Sequence, residues 1–308
     1  MTSAVVFAYH NVGVRCLSVL LAQGVDVKLV LTHEDRPGEN VWFESVRNRA
    51  LESGVPTLTP ADPNSGEVLA LVRACEPDFL FSFYYRQLLK TPLLKSARRG
   101  AYNMHGSLLP KYRGRVPVNW AIINGEAETG ATLHAMTEKP DAGDIVDQIA
   151  VPILPDDTAR EVLEKVTVAA ELTLHRSLPA LVAGTAKLTP QDLSKGSYFG
   201  GRGPADGAIA WKRSAREIHN LVRAVTRPYP GAFCNTSAGM LVVWRTRMRN
   251  QSAPGTPALM VADDGLVARC GDGGLLRVLD VELNGTALDA KTLSAKNGGF
   301  LGLAEGLP

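Results

Sequence analysis

Apolar and polar positions along the chain alternate between two periods. Residues 4–9 (AVVFAY) form a short, nearly continuous apolar run, helical spacing follows at Val14, Leu17, Leu20 and Leu21, and a second run covers 25–31. Such β-α-β writing implies a parallel sheet buried on both faces. The alternation continues with helices over 41–53 and 67–75 and strands over 55–58, 78–85 and 100–105. A helix over 116–124 stops at Gly125, and strands over 130–136 and 144–153 pair antiparallel to close the sheet. The longest helical pattern spans 158–182, is capped by Asp156-Asp157-Thr158, and carries His175 as a structural residue. At 194–207 (SKGSYFGGRGPADG) the composition shifts to a Gly-rich connector, the expected domain boundary. Beyond it lie a helix over 214–227 and five short runs, 232–235, 240–246, 258–262, 266–270 and 275–283, which predict a small β-barrel. The reading is an α/β chain: a mostly parallel sheet domain over 1–195 and a barrel domain over 196–308.

Composition narrows the function. With 308 residues, 45% hydrophobic and 21% charged, the sequence has the balance of a soluble protein long enough for two cores. A formal charge of +2 exerts no global pull toward nucleic acid. Arg245, Arg247 and Arg249 alternate on one predicted strand face and are the best local candidate for a polyanion patch. Cys16, Cys75, Cys234 and Cys270 are scattered, which argues against a zinc site or disulfide framework and for a reducing, cytoplasmic setting. No apolar run reaches membrane-span length and the N-terminus lacks a basic leader, so no membrane association is expected.

The first strand–helix junction reads His10-Asn11-Val12-Gly13-Val14, not G-x-G-x-x-G, which discounts a dinucleotide. His10 and Asn11 lie where open α/β sheets bind ligands, with helix capping equally open for Asn11. Residues 32–40 (THEDRPGEN) mix charges and read as a mobile loop near the site, and Tyr84 and Tyr85 read more as core than as ligand platforms. Gly-Gly-Arg-Gly at 200–203 lacks the lysine of a phosphate cradle.

The stretch 102–117 (YNMHGSLLPKYRGRVP) carries the strongest chemistry. In an extended strand Asn103 and His105 face the same side. An imidazole moves protons near neutral pH, and an amide donates to an oxyanion without titrating; together they suit acyl transfer. An isolated Asn-x-His pair is unremarkable in a globular protein. The turn Glu138-Lys139-Pro140-Asp141-Ala142-Gly143-Asp144 adds weight, because neighbouring strands would let Asp141 accept from the second nitrogen of His105 and fix its tautomer.

These segments resemble a known family. The pattern N-x-H-x-SLLP-x-YRG, then TG-x-T-L-H-x-M and DAGDI, together with FAYHN, THEDRPGEN, SFYYRQLL, DG-x-I-x-W and IHNLVRAVTRPYPGAF, is similar to the 10-formyltetrahydrofolate-dependent formyltransferases over nearly the whole chain. Within that family the wording is most similar to the formyltransferase half of the bifunctional enzymes that formylate UDP-4-amino-4-deoxy-L-arabinose, a lipid A modification pathway. The expectation is a stand-alone transferase without the decarboxylase half. The resemblance implies a Rossmann-like first domain, an OB-like barrel, and 10-formyltetrahydrofolate as formyl donor without a metal. It also implies Asn103, His105 and Asp141 as catalytic residues. It further implies folate contacts at Gln87, Leu88, Leu89, Arg115, Thr137, Glu138, Lys139, Pro140 and Asp141. The implied acceptor is a nucleotide-linked 4-amino sugar. Methionyl-tRNA formyltransferase, the nearest rival, resembles the chain in the same trio, but transfer-RNA binding calls for basic surface and 32–40 carries Glu34, Asp35 and Glu39. Formyltetrahydrofolate hydrolases are an alternative of another reaction class. Homo-oligomerisation stays open, because periodicity does not separate core from interface.

Overall fold

Every residue from Ser3 to Ala8 is buried, as befits a strand covered on both faces. In the computed structural model, which describes residues 1–36 and 38–303, that strand lies inside a seven-stranded sheet, with two strands on one side of it and four on the other. The chain divides into two compact units. Unit 1 comprises Met1–Pro117, Glu128–Pro152 and Leu163–Gly200; unit 2 comprises Val118–Ala127, Ile153–Val162 and the residues from Gly201 onward.

In chain order the first half runs β1 (Ser3–Ala8), α1 (His10–Ala22), β2 (Asp26–Leu31), α2 (Val46–Glu52), β3 (Thr57–Leu58), α3 (Gly66–Ala74), β4 (Phe79–Phe83), α4 (Thr91–Leu94) and β5 (Gly100–His105). It continues with β6 (Arg113–Gly114), α5 (Pro117–Ile123), β7 (Glu128–Ala135), β8 (Ile145–Pro152), α6 (Ala159–Ala183) and β9 (Tyr198–Phe199). The unit 1 sheet has the order β3-β2-β1-β4-β5-β7-β8. Pairings among β3, β2, β1, β4 and β5 are parallel, whereas β5–β7 and β7–β8 are antiparallel. This is the Rossmann-like, mostly parallel sheet expected, with the topological switch between β1 and β4. One face is sealed by a cluster including Phe7, Leu31, Leu80, Leu89 and Leu93.

Local chemistry sets the helix starts. The helix expected over 41–53 begins at Val46, where Ser45 accepts from the Asn48 N–H, and Ser65 does the same for Val68 at the head of α3. Thr158 and Glu161 cap α6 reciprocally. Asn11 caps nothing: its Oδ1 accepts from the Glu44 N–H at 2.8 Å, pinning the segment ahead of α2. The loop expected to be mobile is likewise tied down. Asp35 accepts from the Tyr9 hydroxyl, Glu39 pairs with Arg86, and Glu34 accepts from Thr59 at 3.1 Å. Pro37 lies outside the described residues.

The second half contributes α7 (Ala215–Val225), β10 (Ala232–Thr236), β11 (Gly239–Ser252), β12 (Ala258–Ala262), β13 (Gly265–Arg269), β14 (Gly274–Leu283), β15 (Thr286–Ala287), α8 (Ala290–Asn297) and β16 (Phe300–Gly302). They form the barrel-type domain expected, a curled antiparallel sheet ordered β10-β11-β14-β13-β12-β16. The arginine stripe is partly offset by neighbouring carboxylates. Register shifts around Arg245 interrupt the alternation, Arg247 lies 3.7 Å from Asp156, and Arg249 lies 3.3 Å from Asp264.

Candidate active site

Strand β5 delivers Asn103 and His105 to one face, and the antiparallel pairing with β7 puts His134 directly opposite Asn103 and Thr132 opposite His105. Four polar groups therefore converge where the sheet changes from parallel to antiparallel. Asn103 Nδ2 is 3.1 Å from His134 Nε2, and Asp141 Oδ1 is 3.6 Å from both His134 Nε2 and His105 Nδ1. His105 and His134 are buried, while Asn103 and Asp141 are half-buried and reachable from outside.

The expected Asp141–His105 hydrogen bond needs correction. At 3.6 Å the pair makes a charge contact rather than a hydrogen bond. The tautomer of His105 is fixed elsewhere, because Nε2 lies 2.8 Å from the Tyr112 carbonyl, which only accepts. Nδ1 is thus the nitrogen turned toward Asp141. Burial works against ionisation of Asp141, but His105 and the Gly114 N–H at 2.9 Å outweigh it and hold the carboxyl well below its ordinary range.

The loop that supplies Gly114 is braced by a segment read from sequence as a flexible connector. Strand β9 pairs with β6, Arg113 and Arg115 donate their N–H groups to Ser197 and Phe199 carbonyls at 3.0 Å each, and Tyr112 stacks on Phe199. Gly114, at φ +99°, is packed so closely that a Cβ would sit 2.1 Å from the Phe199 carbonyl oxygen. On the other side of the site Gln191 Nε2 donates to the carbonyls of Gly143 (2.6 Å) and Asp141 (3.2 Å), clamping the turn.

The residues implied as folate contacts fall in two places. Arg115 and the exposed Thr137, Glu138 and Lys139, with the half-buried Pro140, flank the Gly114–Asp141 bond. Thr137 closes its own turn by donating to the Lys139 carbonyl at 2.9 Å. Gln87 instead donates to Ala61 at 3.0 Å, Leu88 is 70% exposed, and Leu89 is a core residue. Met136, which leads into the turn, packs on the same core cluster as Leu89, so one apolar cluster underlies both stretches.

At the carboxyl ends of β1, β2 and β4 the unit gathers aromatic rings. His33 stacks on Tyr85 (4.0 Å between centroids), His10 lies 4.2 Å from Phe43, and Arg86 covers Tyr9 at 4.2 Å. Burial first, then the Arg86 charge, push both His10 and His33 down to about 4. Beside these rings opens a cavity of about 160 Å³ lined by Tyr9, Thr32, His33, Asp35, Phe43 and Arg47, among others. Tyr84 links this region to the polar cluster, since its hydroxyl packs on Gly106, next to His105. Among the described residues no group of three or more His, Cys, Asp or Glu is arranged to hold a metal, and no helix is long and apolar enough to cross a membrane.

Sequence reasoning missed His134, Gln191 and the β9 brace. A signal for His134 existed: Thr132 and His134 are polar at i and i+2 in an otherwise apolar strand.

Comparison with known proteins matches residues 17–178 to the family model described as formyl transferase, and residues 203–297 to formyl transferase, C-terminal domain. Among solved structures, the chain is similar to an N-formyltransferase from Helicobacter canadensis determined with folinic acid and dTDP-3-aminofucose. Identity is 22%, coverage is 90% of this chain and 99% of that one, and the TM-score is 0.73. It is also similar to WlaRD, a sugar 3N-formyl transferase determined in the presence of dTDP and 5-N-formyl-THF (21% identity, 90% and 97% coverage, TM-score 0.72). A 4-N formyltransferase from Francisella tularensis matches at 20% identity, 77% and 94% coverage and a TM-score of 0.62.

Proposed function

The chain belongs to the formyl transferase family, and on that premise we propose that it moves a formyl group from 10-formyltetrahydrofolate to the amino group of a nucleotide-linked sugar. The observation that carries this reading is the convergence of Asn103, His105 and Asp141 where β5 pairs with β7. Solved relatives with folinic acid, dTDP or dTDP-3-aminofucose support the pairing of donor and acceptor. The wording of 102–117 and 129–145 supports UDP-4-amino-4-deoxy-L-arabinose as the particular sugar.

In this mechanism the neutral sugar amine forms a C–N bond to the formyl carbon while the carbonyl electron pair moves onto oxygen. Asn103 Nδ2–H donates to that oxyanion. Nδ1 of His105, the ring nitrogen not engaged by Tyr112, takes the proton leaving the amine, and Asp141 balances the positive charge. The C–N10 bond then breaks, its electron pair goes to N10, and His105 returns the proton there. The turn at 137–141, exposed at Thr137, Glu138 and Lys139, and Arg115 would border the folate, and the cavity beside Tyr9 and Phe43, at the end of the sheet where open α/β folds bind ligands, would border the acceptor.

The experiment offers 10-formyltetrahydrofolate with a panel of nucleotide-linked amino sugars and Met-tRNA, and records product mass. Asn103→Ala, His105→Ala and Asp141→Asn should each lower kcat on the order of a hundredfold with unchanged circular dichroism, and less than additively in combination. A nearly wild-type His105→Ala enzyme, or formate release without any formylated acceptor, would overturn the reading.

A further inference from the structure

We propose that His134 is the positioning residue that orients the Asn103 amide, through a neutral ring whose proton is parked on Nδ1. The inference deepens the reading of the site given above and rests on it. Nδ1 of His134 lies 2.8 Å from the Ala135 carbonyl oxygen. A carbonyl has no proton to offer, so Nδ1 carries the hydrogen and Nε2 of the neutral ring carries the lone pair. Asn103 Nδ2 lies 3.1 Å from that lone pair. Only the nitrogen end of an amide can satisfy it, which decides which way Asn103 points.

With one N–H anchored on His134, the amide plane is fixed and the second N–H remains for the ligand. Asn103 is half-buried, whereas His134 is buried (2% exposed), so the ring cannot itself meet a substrate and acts only through the amide. The charged or titratable neighbours are few. Asp141 Oδ1 stands 3.6 Å from Nε2, beyond ordinary hydrogen-bond length, and His105 sits two residues along β5 from Asn103. A ring protonated on Nε2 would reverse the arrangement. It would demand the amide oxygen in that place and turn the donor away.

Two readouts test this. In wild-type protein labelled with ¹⁵N in histidine, His134 should show a pyridine-like Nε2 and a pyrrole-like Nδ1, assigned by loss of the signals in His134→Gln. In steady-state kinetics His134→Gln, whose side-chain oxygen can accept from Asn103, should stay within roughly threefold of wild type. His134→Leu should lose about tenfold or more in kcat with both KM values little changed, the loss of a buried hydrogen bond felt mainly in the transition state. In an Asn103→Ala background the leucine substitution should add nothing. A ring protonated on Nε2, or a leucine variant equally costly with and without Asn103, would sink the inference. Absence of formyl transfer to any acceptor would instead defeat the functional reading, and the ring-nitrogen signals would still decide this one.

Discussion

At Asp141 the backbone matters as much as the carboxylate. Its φ of +51° lies in the left-handed region, unusual for a non-glycine residue. The conformation is held by Gln191 from one side and by the contact of Gly143 with β7 from the other. A Cβ on Gly143 would fall 2.0 Å from the Ala135 carbonyl oxygen, and backbone cannot step aside as a side chain can. Gly143→Ala should therefore cost about 2 kcal/mol or more in urea denaturation and lower kcat. Gly66→Ala, at an open position heading α3, should instead stabilise by roughly 0.5 kcal/mol. His33 supplies a pH prediction. Its Nε2 accepts from the Arg86 N–H at 3.0 Å, which a protonated nitrogen could not do. With its folded pKa near 4 and the ordinary value at 6.5, the unfolded chain takes up the proton first as pH falls. Stability present above pH 6.5 should be lost progressively toward pH 4, with His10 adding in the same sense. Urea midpoints at successive pH values check this, and a flat profile in that window would contradict it. The Asn103/His105 pair was legible because a two-residue spacing decides a strand face. His134 was only partly legible, through its polar i, i+2 pairing with Thr132, because only the cross-strand register brings it opposite Asn103.

The parallel strands could be read from unbroken apolar runs, and β7 and β8 from their return after a turn. The two-residue strands β6 and β9 could not, since two residues show no period and glycine-rich flanks suggest a connector. Helix starts depend on single side chains and were blurred by neighbouring aromatics: Trp42 and Phe43 belong to the ring cluster around His10, not to α2. Helix α7 shows the capping logic best. Ser214 accepts from the Glu217 N–H while Glu217 reaches back to the Ser214 N–H. Ser214→Ala should cost about 1 kcal/mol, read as a shift in the chemical-denaturation midpoint without a change in m-value.

Taken whole, the chain carries 33 basic and 31 acidic residues. Its most conspicuous arginine stripe is matched by Asp156 and Asp264 within the second unit. Binding of tRNA should accordingly be weak, with a log–log salt slope no steeper than about −2, whereas several phosphate contacts would give a much steeper one. A filter-binding titration over a range of salt decides this, and a steep slope would favour the tRNA reading. The existence of two sheets was plain from the change of pattern after 194–207. That 118–127 and 153–162 group with the second unit was not, because such membership depends on partners far away in sequence.

The ladder between β5 and β7 has one more consequence. It acts as an index, setting residue 103 against 134 whatever the length of chain that joins them. Insertions between α5 and β7, outside the Tyr112–Gly114 loop that braces His105 and Asp141, should leave the polar cluster aligned. A single deletion inside either strand would rotate half of it to the opposite side of the sheet, giving a folded but inert protein.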